Sequence, residues 1–395
     1  MNATSSSCAA FSLSTFAFNL FAKLTQGLQD TNVLISPFSI ASALAMIQAG
    51  TRDASAAHTE FQNVLGSSSH LEMSSLSRQL FSSEPTSKSV QLVGANGIWS
   101  KSLRESYIKS IAADHDAIAD DLPPTFEPID KFIATKTNGM LQNVVQGIID
   151  PLTVAILVNA VFFKGKWAHP FDTNKTVNGI FTGFNGIEKE GPFMKMERQL
   201  KVSLNSPLLN GAHIVQLDYG DNGADPDTTD NTEFAAFFIL PSHSGSQSMN
   251  DVISSLVELG RESASNQHVI FQNSLHEQKV EIRVPRFQLS YGTTSISKEL
   301  QEMGLKSVFK DGSLPEMSDD PLVHLDDVLH KAVIEVTEEG TVAAAATVGI
   351  VMTRMIPEPS PEIYFDRPFL LMIFHVPTNT PLFLSQVCDP EFLKV

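Results

Sequence analysis

Apolar residues fall at helical spacing in the first part of the chain. Leu13, Phe16, Leu20 and Leu24 form one stripe, which predicts a helix over roughly 11–27. Ile40, Leu44 and Ile47 form a second, over roughly 37–49, with Ser36 placed to cap it, Pro37 at its first position and Gly50 at its end. A third helical pattern covers roughly 128–145. Strand-like runs dominate later, at about 154–163, 234–240, 280–289, 369–376 and 381–387. The run from Val154 is apolar on both faces, which predicts a central strand covered twice over. Val280, Ile282 and Val284 alternate with Glu281 and Arg283, as a half-exposed strand does. This order of elements predicts an α+β fold. The acidic stretch from Asp221 to Glu233 reads as a solvated loop.

One segment follows neither period. Residues 337–361 read TEEGTVAAAATVGIVMTRMIPEPSP, with small residues from Ala343 to Thr347 and prolines at 357, 359 and 361. Alanine favours a short helix here, but Gly340 and Gly349 flank it. A loop of about 20 residues inside a compact domain is uncommon and often functional. A strong strand follows, so a linker to a second domain is not the expected reading.

Charge narrows the partners. The net charge of −17 opposes binding to nucleic acid, anionic membranes and polyanions. Two cysteines, Cys8 and Cys388, make neither a disulfide framework nor a zinc site. No run approaches the ~18 apolar residues of a membrane span. The first basic residue is Lys23, so no cleavable signal peptide is expected. The expected location is cytoplasmic, or extracellular by non-classical release, with the sequons at Asn2 and Asn174 unused. Nucleophile-elbow, dinucleotide and Walker motifs are absent, and Val280 stands where a metalloprotease pattern begun by His276-Glu277 needs its second histidine. An enzyme is not expected, and no cofactor or metal is implied.

Several blocks, in order and spanning nearly the whole chain, resemble the serpin family. They are Asn32-Val33-Leu34-Ile35-Ser36-Pro37-Phe38-Ser39, Asn159-Ala160-Val161-Phe162-Phe163-Lys164-Gly165-Lys166-Trp167 with Phe171 after it, and Val284-Pro285-Arg286-Phe287. His330-Lys331-Ala332, Glu338-Glu339-Gly340-Thr341, Asp366-Arg367-Pro368-Phe369 and Pro381-Leu382-Phe383 complete the set. Each block is weak alone; their order and spacing together are specific. The ovalbumin-like branch, whose members lack a cleaved signal, is the nearest resemblance. It departs at Ser385-Gln386, where the family has a Gly-basic pair, and a change of packing is expected there. Residues 66–90 carry only Arg78 and Lys88 as basic residues, so heparin binding is not expected.

The resemblance implies a single serpin domain over 1–395, with helices packed around three β-sheets and an exposed reactive-centre loop at about 340–361. It implies a loop hinge of Glu338, Glu339, Gly340, Thr341, Val342, Ala343, Ala344, Ala345, Ala346 and Thr347. Counted from Gly340 inclusive, the fifteenth residue is Arg354, which makes Arg354-Met355 the reactive bond. Met352 and Met355 compete as bait and would suit elastase- or chymotrypsin-like targets. Ser36, Ser39, Asn159 and His330 match a cluster that gates sheet opening, and Trp167 matches an aromatic near the point where the loop enters. Satisfied core polar groups and plain core packing are the alternative readings of these residues. The implied function is a monomeric suicide inhibitor in a 1:1 covalent complex with a trypsin-like serine protease. A non-inhibitory carrier or chaperone and an inhibitor of cysteine proteases are the alternatives.

Overall fold

The structure, a computed structural model, describes residues 3–28, 30–66, 69–81, 89–220, 232–262, 272–340 and 360–394. These residues form helices α1 (Ala3–Thr25), α2 (Pro37–Ala49), α3 (Ala56–Leu65), α4 (His70–Leu80), α5 (Glu105–His115), α6 (Glu127–Lys136), α7 (Ser246–Glu262) and α8 (Ser297–Glu302). The strands are β1 (Val33–Ile35), β2 (Val90–Ser100), β3 (Ile118–Asp121), β4 (Ala155–Gly165), β5 (Val177–Thr182), β6 (Glu188–Ser206), β7 (Ala212–Tyr219) and β8 (Phe234–Leu240). They continue with β9 (His276–Pro285), β10 (Phe287–Ser295), β11 (Asp327–Val336), β12 (Glu362–Tyr364), β13 (Phe369–His375), β14 (Thr380–Val387) and β15 (Glu391–Phe392).

The main sheet runs β15-β10-β11-β4-β2-β3. At its centre β4 and β11 are parallel neighbours, paired from Asp327↔Ile156 to Val333↔Phe162. One face packs against Ile129 and Ile133 of α6, and the other faces the large core beneath α1 and α2. That double cover explains why β4 is apolar along almost its whole length. The second sheet runs β1-β14-β13-β8-β7-β6-β9-β12, with β5 beside β6. Three sheets are expected from the sequence, but β6 is 19 residues long. It pairs with β5 at one end, β9 along its middle and β7 at the other, so two of the three are continuous through it.

Local chemistry sets the boundaries. Ser36 (φ −111°) accepts the Ser39 N–H and Pro37 opens α2, as its sequence predicts. Gly50 ends that helix at φ −83°; its value is space, since an added Cβ would lie 3.0 Å from Met317 Cβ. The third predicted helix is shorter than its pattern. It stops at Lys136, because the chain turns left-handed at Asn138 (φ 51°) and Gly139 (φ 76°). The predicted strand at about 280–289 is two strands in different sheets. Pro285 lacks an N–H, and Arg286 makes the corner by donating its N–H to Pro192 O at 2.9 Å. Leu13, Phe16, Leu20 and Leu24 are all buried, as the first stripe predicts. Among the described residues no helix is long and apolar enough to cross a membrane.

Candidate functional site at the seam of the main sheet

The seam between β4 and β11 is held at two places. The first is where β11 ends. The chain reverses there in a tight turn, with Thr337 N donating to Gly340 O at 2.8 Å and Gly340 N to Thr337 O at 3.2 Å. Gly340 also bridges antiparallel to Lys166, just beyond β4. Its backbone therefore occupies the gap between the two strand ends and runs antiparallel to both. No side chain fits: φ is +126°, and a Cβ would lie 2.2 Å from Gly165 O.

The two glutamates of the turn are tied down. Glu338 O accepts the Phe171 N–H at 2.7 Å, and Glu339 O accepts the Trp167 N–H at 2.9 Å. The Glu338 carboxylate is 5% exposed and accepts from Arg286 Nε at 2.9 Å and Thr176 Oγ1 at 2.7 Å. Burial pushes the Glu339 carboxyl above its ordinary range, against the pull of Lys166. Trp167 donates Nε1–H to Thr337 O at 2.9 Å and stacks on Tyr219 at 4.5 Å between ring centroids. Thus Glu338, Glu339, Gly340 and Trp167 meet in one place. Thr341, Val342, Ala343, Ala344, Ala345, Ala346, Thr347, Arg354 and Met355 lie outside the described residues.

The second place is midway along the seam. Asn96, Asn159 and His330 stand opposite one another on β2, β4 and β11. Asn159 Nδ2 donates to Ser39 Oγ at 2.6 Å and to Asn96 Oδ1. His330 Nε2 accepts the Ser36 N–H at 3.1 Å. The remaining imidazole proton therefore sits on Nδ1 and is donated to Asn159 Oδ1 at 2.6 Å. One contiguous network thus crosses the seam and ties both strands to the start of α2.

Sequence reading misses Asn96, Thr176 and the pairing role of Arg286. Asn96 is visible only as a polar residue in an apolar run; its partner needs the strand register. Arg286 and Glu338 are far apart in sequence and carry no local signal of contact. Among the described residues no cluster of His, Cys and carboxylates is arranged to hold a metal.

Burial, with Lys331 adding to it, holds the His330 imidazole down at about 3. The unfolded chain takes up this proton near pH ~6.5, while the native state refuses it until far lower. Native stability should therefore fall as pH drops between those values. His115 and His375, held down at about 4 by burial, add loss of the same sign. His330→Asn should reduce the slope by one proton, about 1.4 kcal/mol per pH unit. Denaturant unfolding from pH ~6 to ~4 checks this, and an unchanged slope would exclude His330 as a contributor.

The family model described as Serpin (serine protease inhibitor) matches residues 12–390. Corticosteroid-binding globulin of Oryctolagus cuniculus is 31% identical over 393 residues, covering 95% of this chain and 94% of that protein. Leukocyte elastase inhibitor of Xenopus laevis is 28% identical over 392 residues, covering 95% and 97%. Arabidopsis AtSerpin1, solved in its native stressed conformation, superposes with a TM-score of 0.78 at 26% identity, covering 97% of this chain and 98% of that one. With a family match of that extent, this chain belongs to the serpin family.

Proposed function

We propose that the chain inhibits trypsin-like serine proteases by covalent trapping, with Arg354-Met355 as the bond attacked. Serpins are mostly protease inhibitors rather than enzymes. The observation that carries the reading is the seam: β4 and β11 pair directly, and Gly340 stands between their ends at the head of a run of small residues. The protease serine Oγ attacks the Arg354 carbonyl. The Arg354-Met355 bond breaks, Met355 leaves as a protonated amine, and Arg354 remains as an ester on the serine. The freed arm then enters between β4 and β11, antiparallel to each. Alternate residues point inward in a strand. The inward set would be Thr341, Ala343, Ala345, Thr347, Gly349 and Val351, all uncharged and small or β-branched. Fourteen residues at about 3.3 Å each would carry the protease roughly 46 Å.

New ladder bonds at about 1 kcal/mol each, together with apolar burial at about 25 cal/mol per Å², stand against an ordering cost of about 1–2 kcal/mol per residue. The two sides nearly cancel, so most of the drive has to come from relaxation of the opened sheet. The chain would act as a monomer, in the cytoplasm or after non-classical release, without glycosaminoglycan activation.

A carrier is the second reading, favoured by the likeness to a corticosteroid-binding globulin. The run of small residues weighs against it, because it suits insertion. Incubation with trypsin separates the two on a denaturing gel with mass spectrometry. Inhibition gives a stable covalent adduct and a released peptide beginning at Met355. Cleavage without adduct would remove the inhibitory reading for trypsin-like enzymes.

A further inference from the structure

The residues after β14 reach back to the loop hinge. Glu391 and Phe392 pair with Gln288 and Phe287 at the edge of β10. The Phe392 ring fills the space over Gly191, where an added Cβ would fall 2.2 Å from it, and lies 5.8 Å from the Phe193 ring. Leu393 N donates to Arg286 O at 3.1 Å, and Lys394 O accepts from Arg286 Nη1. The same guanidinium donates through Nε to Glu338 at 2.9 Å. Arg286 is therefore gripped from both sides, by the segment 391–394 and by the hinge turn.

We propose that residues 391–394 form a latch that positions Arg286 on Glu338 and so restrains the loop hinge, with Phe392 as its anchor. The physical basis is the shape of the guanidinium. Its planar fork offers donors in fixed directions, so fixing one edge aims the other. Lys394 O fixes one edge, and the Leu393–Arg286 backbone bond keeps that carbonyl within reach, which leaves Nε pointing at the Glu338 carboxylate. Phe392 holds the segment in place by packing its half-buried ring between β10 and Gly191. Without the latch Arg286 regains its rotamers, and Glu338, a buried carboxylate, loses its aligned partner. The turn at Thr337–Gly340 then opens more often. Sealing of the free edge of β10 is a second consequence of the same pairing, but it does not by itself involve Glu338.

The inference rests on the reading that the loop inserts at this seam. The test reads insertion without a protease, by uptake of a synthetic peptide with the sequence of residues 341–354, followed on native gels and by tryptophan fluorescence. Phe392→Ala should take up the peptide about tenfold faster than the unsubstituted chain, and Arg286→Ala at least as fast. In the Arg286→Ala background the Phe392→Ala change should add nothing, because its effect passes through the guanidinium. An unchanged rate for Phe392→Ala overturns the latch. So does an equal acceleration in both backgrounds, which would mark general loosening. Phe392→Leu, which keeps most of the apolar fill, gives the same comparison if the alanine variant does not fold. A peptide that never enters the unsubstituted sheet overturns the insertion reading instead.

Discussion

Gly340→Ala should destabilise the native state by about 3–4 kcal/mol, far more than the same change at an uncrowded left-handed glycine. The methyl group would sit 2.2 Å from Gly165 O and 2.6 Å from both Lys166 Cα and Trp167 N. These are backbone atoms at the end of β4, so no side-chain rotation relieves the contact. Relief requires that β4 and β11 part or that the turn be abandoned. Parting the strands strains the Trp167 N–Glu339 O bond, and abandoning the turn breaks the Thr337–Gly340 pair. The positive φ adds about 1 kcal/mol more for any L side chain. Gly27 supplies the control, since its φ is +80° and nothing lies within 4 Å of an added Cβ. Denaturant unfolding of the two variants separates strain from crowding. Equal losses at both positions would mean that the gap is wider than this geometry and that Gly340 is not wedged.

The hinge and the mid-seam network act on the same pair of strands. From Asn159 to Lys166 is seven residues, about 23 Å of strand. Opening the seam for a new strand must undo both, and their chemistry differs. The hinge turn is backbone tied to an ion pair, so it resists by shape. The Asn159–His330 network is a chain of neutral hydrogen bonds that depends on the imidazole remaining uncharged. Breaking it leaves several buried polar groups unpaired, at about 1–3 kcal/mol each.

Legibility in the sequence follows the range of the interaction. The start of α2 is readable because Ser36, Pro37 and the Ile40–Leu44–Ile47 stripe act within one helix. The coverage of β4 is readable because burial on both faces leaves a continuous apolar run. The end of α6 is not, because the apolar pattern continues past Lys136 while Asn138 and Gly139 turn the backbone. The long strand β6 also goes unread, because its buried residues are interrupted by charged ones as it passes from one set of neighbours to the next. Ser36, Ser39, Asn159 and His330 could be named from family resemblance, but that they touch depends on the register of β2, β4 and β11. The same holds for Arg286 on Glu338, and for Gln386, whose amide reaches Leu28 O and Thr31 O beyond α1. Pairings across a sheet are set by tertiary register, which no local pattern encodes.

Arg354→Ala should abolish inhibition of trypsin, lowering the association rate by about a thousandfold or more, while leaving the unfolding curve unchanged. Arginine presents a fixed charge and a fork of donors, which suit a carboxylate at the base of a trypsin-like pocket. Alanine leaves that carboxylate without its partner in the complex, and the loss of a desolvated, hydrogen-bonded charge pair costs about 2–5 kcal/mol or more. Stability should not respond, because the substitution removes only the bait. Thr341→Arg should do the reverse. It keeps the bait and places a charge on the inward face of the arm, where insertion would bury it unpaired. Trypsin should then cleave the chain at Arg354 at an undiminished rate and be released active, so the adduct vanishes while the peptide from Met355 still appears. Cleavage rate and adduct yield, read from one time course, keep the two effects apart. Full trypsin inhibition by Arg354→Ala would move the reactive bond elsewhere, with Met352 and Met355 as the nearest candidates. Undiminished adduct from Thr341→Arg would mean that the arm is not buried in the register that points Thr341 inward.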